Sequence, residues 1–160
     1  MDLRQIFDHL VRLETDLWNG IDTALRRESD LSLGGLEVLR VIDRLQDCRV
    51  NDIAGALSIT IGGASQAVDR LEKRALCVRQ PHPRDRRSSL VRLTRTGRDL
   101  AESAGRIFDR ELAARLAGPL PKSELDRLGA ALATLRTPVP HGTGPGPGAG
   151  QGTATPEELS

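Results

Sequence analysis

The chain has 160 residues, of which 38% are apolar, with 23 Lys+Arg against 22 Asp+Glu; this length allows one domain, or one domain with an extension. Its apolar runs fall far short of the roughly 20 residues a membrane span needs, and Met1-Asp2-Leu3-Arg4 shows no basic segment leading into an apolar one. Two cysteines, Cys48 and Cys77, are too few for a disulfide scaffold or a structural zinc site. With only Phe7, Trp18 and Phe108 as aromatics, the core must come from Leu, Ile, Val and Ala. The expectation is a cytoplasmic, helix-rich protein without a cofactor.

Leu3, Ile6, Phe7, Leu10, Leu13, Leu17, Trp18, Ile21 and Leu25 recur at spacings of three and four, which predicts one amphipathic helix from about Asp2 to Arg27. Leu36, Val38, Leu39, Val41, Ile42 and Leu45 predict a second helix of about 12 residues. A brief helix follows over Val50–Leu57, with Asn51 or Asp52 near its start, then the turn Ser58-Ile59-Thr60. Thr60 can cap a further helix from about Ile61 to Ala75, with Ala64, Val68, Leu71 and Ala75 facing inward. Two short helices around a three-residue turn read as a helix-turn-helix.

The apolar period then changes to two. Cys77–Gln80 and Leu90–Leu93 read as short strands around a polar, Pro-stiffened loop, Pro81–Ser89. A helix-turn-helix followed by such a hairpin is a winged helix, so the expected fold class is mainly α with a small β hairpin (α+β). Leu100, Ala104, Ile107, Phe108, Leu112 and Leu116 restore the helical period until Gly118-Pro119, and Pro121 opens a helix carrying Leu125, Leu128, Leu132 and Leu135. From Thr137 to Ser160, six Gly and five Pro fall within 24 residues; such a stretch buries too little apolar surface to offset its ordering entropy and reads as disordered. The organisation expected is a helical dimerisation region at 1–30 and 95–136, a winged-helix lobe at 31–94 and a tail at 137–160. Long apolar stripes suit a dimer; a monomeric bundle is the alternative that packing alone leaves open.

Charge is unevenly placed. Residues 1–60 carry 7 basic and 11 acidic residues (−4), 61–100 carry 10 and 4 (+6), and 101–160 carry 6 and 7 (−1). A basic block between acidic ones suits a polyanion surface as well as a merely solvated one. The outward face of the Ile61 helix bears Gly62, Gly63, Ser65, Gln66, Asp69, Arg70 and Lys73. Its first half is small and uncharged, so it can approach base edges. Gln66 matches the N6/N7 edge of adenine and Ser65 several bases, while Thr60 and the free amides of the first turn suit a phosphate. Gly62 and Gly63 each cost a helix about 1 kcal/mol relative to Ala, which close approach to a duplex would explain. Arg84, Arg86 and Arg87 near the hairpin tip suit a narrow minor groove. Asp85 is expected to pair with Arg87 and fix the shape of the wing.

The runs Val68-Asp69-Arg70-Leu71-Glu72-Lys73-Arg74-Ala75-Leu76, Pro83-Arg84-Asp85-Arg86-Arg87 and Leu90-Val91-Arg92-Leu93-Thr94-Arg95-Thr96-Gly97-Arg98 resemble the MarR family of bacterial winged helix-turn-helix transcriptional regulators. Leu31-Ser32-Leu33 and Glu37-Val38-Leu39 match the beginning of that family's second helix. The resemblance spans about residues 3–136. It implies a homodimer held by the terminal helices, placing two lobes on a pseudo-palindromic double-stranded DNA operator with half-sites about one helical turn apart. It also implies repression relieved by a small ligand or an oxidant, and a location in the cytoplasm at the nucleoid. Gly62, Gly63 and Ala64 stand where the family often has Ser, Thr and Val, and Ala75 replaces a usual Gly.

Three further readings bear on sensing. A small organic effector would enter the crevice between the helical region and the DNA lobe, with Trp18, Arg26, Arg40 and Arg44 as candidate contacts; Trp18 reads first as core and second as ligand wall. Cys48, beside Arg49, is the one candidate for a redox switch. His9, His82 and His141 are too scattered for a zinc sensor. No nucleophile elbow, zinc-protease or phosphate-loop motif supports an enzyme. The remaining alternative is a winged-helix protein-interaction module without DNA binding.

Overall fold

The computed structural model describes residues 2–136, apart from the Arg86 side chain. The residues expected to form a disordered tail, 137–160, lie outside the described part. The chain divides into two units, Met1–Lys122 and Ser123–Ser160.

In the first unit, α1 (Leu3–Ser29) opens on a capping box: the Asp2 side chain accepts from the Gln5 amide, and the Gln5 side chain accepts from the Asp2 amide. Only its last third is buried, through Ile21, Ala24 and Leu25. Trp18 is therefore not a core residue, contrary to the first reading of the sequence. It is 45% exposed, and α1 has no buried residue before Ile21. The carboxylate of Asp22 then ties α1 to the next helix. It accepts from the Leu33 amide at 2.7 Å and from Arg26 Nε at 2.6 Å. Partial burial pushes its pKa up, but these two bonds outweigh that and hold it below the ordinary 3.8.

Helix α2 (Leu33–Arg44) starts on the Ser32 hydroxyl, which accepts from the Gly35 amide. It is the most buried element, contributing Leu33, Leu36, Val38, Leu39, Val41 and Ile42. Helix α3 (Val50–Leu57) is capped from within: Asp52 reaches back to accept from the Arg49 amide at 2.8 Å. The helix runs over Val50–Leu57 as expected, with Arg49 ahead of it and Asn51 and Asp52 in its first turn. Ser58, at φ 53°, turns the chain, and Thr60 caps α4 (Ile61–Lys73) by accepting from the Gly63 amide at 3.0 Å.

Helix α4 ends two residues before the expected Ala75. Ala64, Val68 and Leu71 are buried as expected, but Ala75 is exposed. Its φ of 56° swings the chain out of the helix, and Leu76 takes the buried place instead. A left-handed residue here is what a glycine would adopt without strain.

The hairpin is longer than its apolar alternation predicts. Strands β1 (Cys77–His82) and β2 (Asp85–Leu93) pair antiparallel from Cys77↔Leu93 to Pro81↔Ser89, then jump to His82↔Asp85. Most of the expected loop 81–89 is therefore strand, with Arg86, Arg87 and Ser88 bulged out of register near the tip. Polar side chains hid this ladder, since both wing faces are wet there.

Helix α5 (Arg95–Leu112) begins at a latch. The Thr94 amide donates to the Leu76 carbonyl, and its hydroxyl donates to the Ala75 carbonyl at 2.7 Å and accepts from the Gly97 amide at 2.9 Å. A Cβ on Gly97 would overlap the Leu76 carbonyl, so only glycine fits. α5 packs along α1 and α2 and widens into a π-helical turn, Ala113–Ala117, closed by the Gly118 amide on the Ala113 carbonyl. Leu25, Leu31, Leu36, Leu39, Ile53, Val68 and Val91 are almost fully buried at the centre of this unit. Each contributes roughly 1.5–3 kcal/mol of apolar burial. Helix α6 (Lys122–Arg136) follows Pro121; from Ser123 on it belongs to the second unit, and it carries an internal Arg127–Glu124 pair at 3.0 Å.

Candidate nucleic-acid interface

Helix α4 and the β1–β2 wing project the basic block. Gln66, Arg70 and Lys73 are exposed on one face of α4, Thr60 and Gly62 are exposed at its start, and Ser65 is half-buried. A Cβ on Gly62 would meet nothing within 4 Å, so the helix start is open to an approaching surface. Gly63 has a local reason as well. A Cβ there would lie 3.1 Å from Thr60 Oγ1 and crowd the cap.

In the wing, Arg84 and Arg87 are exposed. Asp85 meets Arg87 as expected, but through the backbone: its Oδ1 accepts from the Arg87 amide at 3.0 Å. His82 Nδ1 accepts from the Arg84 amide at 3.1 Å. Both bonds shape the tip while leaving the guanidinium groups of Arg84 and Arg87 outside. Arg86 lies in the same bulge.

Sequence reasoning missed the residue that joins helix to wing. Arg79, on β1, sends its guanidinium back to α4, bonding Asp69 Oδ1 at 2.6 Å, the Glu72 carboxylate and, at 3.4 Å, the Ser65 carbonyl. Its amide also donates to Glu72 Oε1 at 2.9 Å. Burial works to lower the pKa of Arg79, and the bonds to Asp69 and Glu72 overcome it and hold that pKa above its ordinary value. A signal existed: Arg79 shares strand parity with buried Cys77, and an inward-facing cation needs acidic partners. Arg74 and Arg92 were also missed. Arg74 caps the end of α1 through the Asp30 carbonyl at 2.7 Å, and Arg92 holds the α2–α3 loop through the Gln46 carbonyl at 3.0 Å.

The candidate effector residues lie on α1 and α2. Arg26 is engaged by Asp22, Arg40 stacks over the Phe108 ring at 4.2 Å and pairs with Glu37, Arg44 is exposed at the end of α2, and Trp18 is on the outer part of α1. A cavity of about 360 Å³ lies instead between α1 and the end of α5, with Asn19, Thr23, Arg27, Glu111 and Arg115 in its wall.

Cys48 departs from the environment its neighbours suggest. It is fully buried, and burial, with Asp52 adding to it, pushes its thiol up to about 11; the adjacent Arg49 does not offset this. Cys77 is buried likewise and also raised to about 11. A thiol with that pKa is almost wholly protonated near pH 7 and a poor nucleophile. Among the described residues no group of His, Cys, Asp or Glu is placed to hold a metal ion, and no helix is long and apolar enough to cross a membrane.

A helix-turn-helix with a capped, open-started second helix and a two-stranded arginine wing defines a winged helix. Residues 31–89 match the sequence model of the MarR family. The fold of the chain is that of solved MarR-type regulators. The transcriptional repressor CouR bound to a 23-mer DNA duplex is 26% identical, with 84% of this chain and 97% of that chain covered and a TM-score of 0.74. CouR from Rhodococcus jostii RHA1 bound to p-coumaroyl-CoA is 24% identical over 84% and 93%, with a TM-score of 0.73. Sco3205, a MarR family transcriptional regulator from Streptomyces coelicolor in complex with DNA, is 20% identical over 82% and 84%, with a TM-score of 0.76. Among curated proteins none matches the chain.

Proposed function

We propose that this protein is a MarR-type transcriptional repressor that binds a pseudo-palindromic duplex as a homodimer and is modulated by a small organic ligand. The observation that carries the reading is the joint presentation of α4 and the wing. Gln66, Arg70 and Lys73 stand exposed on the helix, and Arg84 and Arg87 stand exposed on a hairpin tied to it. A duplex meets both elements at once, with Gln66 and Ser65 in the major groove and the wing arginines, Arg86 included, in the flanking minor groove. Arg70, Lys73 and the Thr60 end of α4 hold phosphates.

A second copy supplies the partner that α1 lacks. Leu3 is 83% and Phe7 69% exposed, and Leu10, Val11 and Leu13 continue the stripe. A row of exposed apolar side chains on one helix fits burial in a dimer and poorly fits solvent. The ligand enters the helical side of the DNA lobe, where Trp18, Arg26, Arg40 and Arg44 border it. That DNA-bound and ligand-bound relatives share the fold supports both halves of the reading.

The test is binding to the genomic fragments the protein retains. Removing Arg84 or Arg87 (to Ala) weakens binding across all sequences and lowers the salt dependence by about one counterion each. Gln66→Ala costs about 1–3 kcal/mol and relaxes the base preference. Three variants that all bind like the parent would overturn the assignment.

A further inference from the structure

The cluster formed by Arg79, Asp69 and Glu72 enters the reading above only as the tie between helix and hairpin. Residues 66, 69, 70 and 73 fall at offsets of three and four, so Asp69 stands within the stripe of α4 that carries Gln66, Arg70 and Lys73. Glu72 lies beside it. Two carboxylates on a helix facing phosphates repel the ligand the helix is built to meet. A single guanidinium from β1 takes both: Arg79 Nη2 reaches Asp69 Oδ1 at 2.6 Å, and Nη1 reaches Glu72. The same group touches the Ser65 carbonyl at 3.4 Å, and the Arg79 amide is fixed to Glu72 Oε1 at 2.9 Å. Arg79 faces Val91 across the hairpin, so the clamp also fixes the root of the wing against α4.

We propose that Arg79 is a positioning residue for duplex binding: without touching DNA, it neutralises Asp69 and Glu72 on the reading helix and sets the distance between that helix and the wing. The proposal rests on the DNA-binding reading. Neutralisation is the larger part, because the two carboxylates are fixed to the reading helix whether or not the wing moves. A planar five-donor fork suits this task; a lysine can satisfy only one carboxylate at a time.

The experiment measures duplex affinity over a salt series for the full chain and four variants. These are Arg79→Gln, Arg79→Lys, Asp69→Asn/Glu72→Gln, and the triple variant Arg79→Gln/Asp69→Asn/Glu72→Gln. The duplex is a genomic fragment that the parent retains. Arg79→Gln should lose at least about tenfold in affinity, and the loss should shrink as salt screens the carboxylates. Arg79→Lys, which keeps the charge, should fall between Arg79→Gln and the parent. In the Asp69→Asn/Glu72→Gln background the Arg79→Gln change should cost little, since the amides keep the acceptor for the Arg79 backbone but carry no charge. Equal affinity of parent and Arg79→Gln overturns the proposal. So does a loss that is independent of salt and as large in the amide background, because that is the signature of a purely structural bond. Arg79→Lys binding as poorly as Arg79→Gln also overturns it. A parent that retains no duplex removes the function and this proposal together, whereas parent binding with an unaffected Arg79→Gln removes this proposal alone.

Discussion

Ala75, Leu76, Thr94 and Gly97 show how single atoms decide where the wing begins and ends. The Thr94 hydroxyl and amide bind the carbonyls of Ala75 and Leu76, which brings α5 so close that Gly97 has no room for a methyl group. Gly97→Ala should therefore destabilise the protein by several kcal/mol, about the scale of core overpacking at its upper end, seen as a large drop in the denaturant midpoint. Ala75 holds a φ of 56° that alanine adopts at a cost. Ala75→Gly should raise stability by up to about 1 kcal/mol. A destabilised Ala75→Gly, or a Gly97→Ala that melts like the parent, would contradict this account. Gly97 within Leu-Thr-x-x-Gly was visible in the sequence as a pattern, while its reason was not. The reason is a contact with a carbonyl 21 positions earlier, which no local period encodes.

Helix α4 and the wing form the unit on which the function is argued, and they were legible to different degrees. Apolar spacing located α4 and its Thr60 cap because both signals are local. The same spacing carried the helix two residues too far, because Ala75 continues the period in sequence but not in φ. The hairpin was found at its apolar root and missed at its polar tip, where pairing continues to His82↔Asp85 without buried side chains. Arg79 was passed over because a charge in a strand looks solvated until its partners on α4 are placed. One element-scale prediction follows from the open space at Gly62. Gly62→Ala should stabilise α4 by roughly 0.5–1 kcal/mol and still weaken duplex binding, because the methyl group intrudes where the helix approaches. Thermal melts and duplex titrations on one preparation read both signs. A variant that is more stable and binds unchanged would show that close approach is not the reason for the glycine.

At the scale of the whole molecule, the exposed stripe on α1 is the feature a single chain leaves unexplained. Leu3, Phe7, Leu10 and Leu13 repeat at helical spacing yet remain outside the core that Leu25, Leu36 and Leu39 share. The sequence announced the stripe but not its exposure, because periodicity marks a buried face without saying which chain buries it. Phe7→Asp with Leu10→Asp should convert a sedimenting dimer to monomer and weaken duplex binding at least about tenfold through lost bivalency. Each winged-helix lobe should keep its fold, since neither residue reaches its core. A parent protein that sediments as a monomer would remove the dimer from the account.

The most direct test of the central claim, that residues 50–94 read a DNA duplex, is to sequence the genomic fragments that the purified protein retains at low ionic strength and to titrate the best of them with salt. The account predicts a preferred fragment whose affinity falls steeply and linearly on a log–log salt plot, with a slope set by the arginines and lysines of α4 and the wing. Retention of no fragment above background would contradict it.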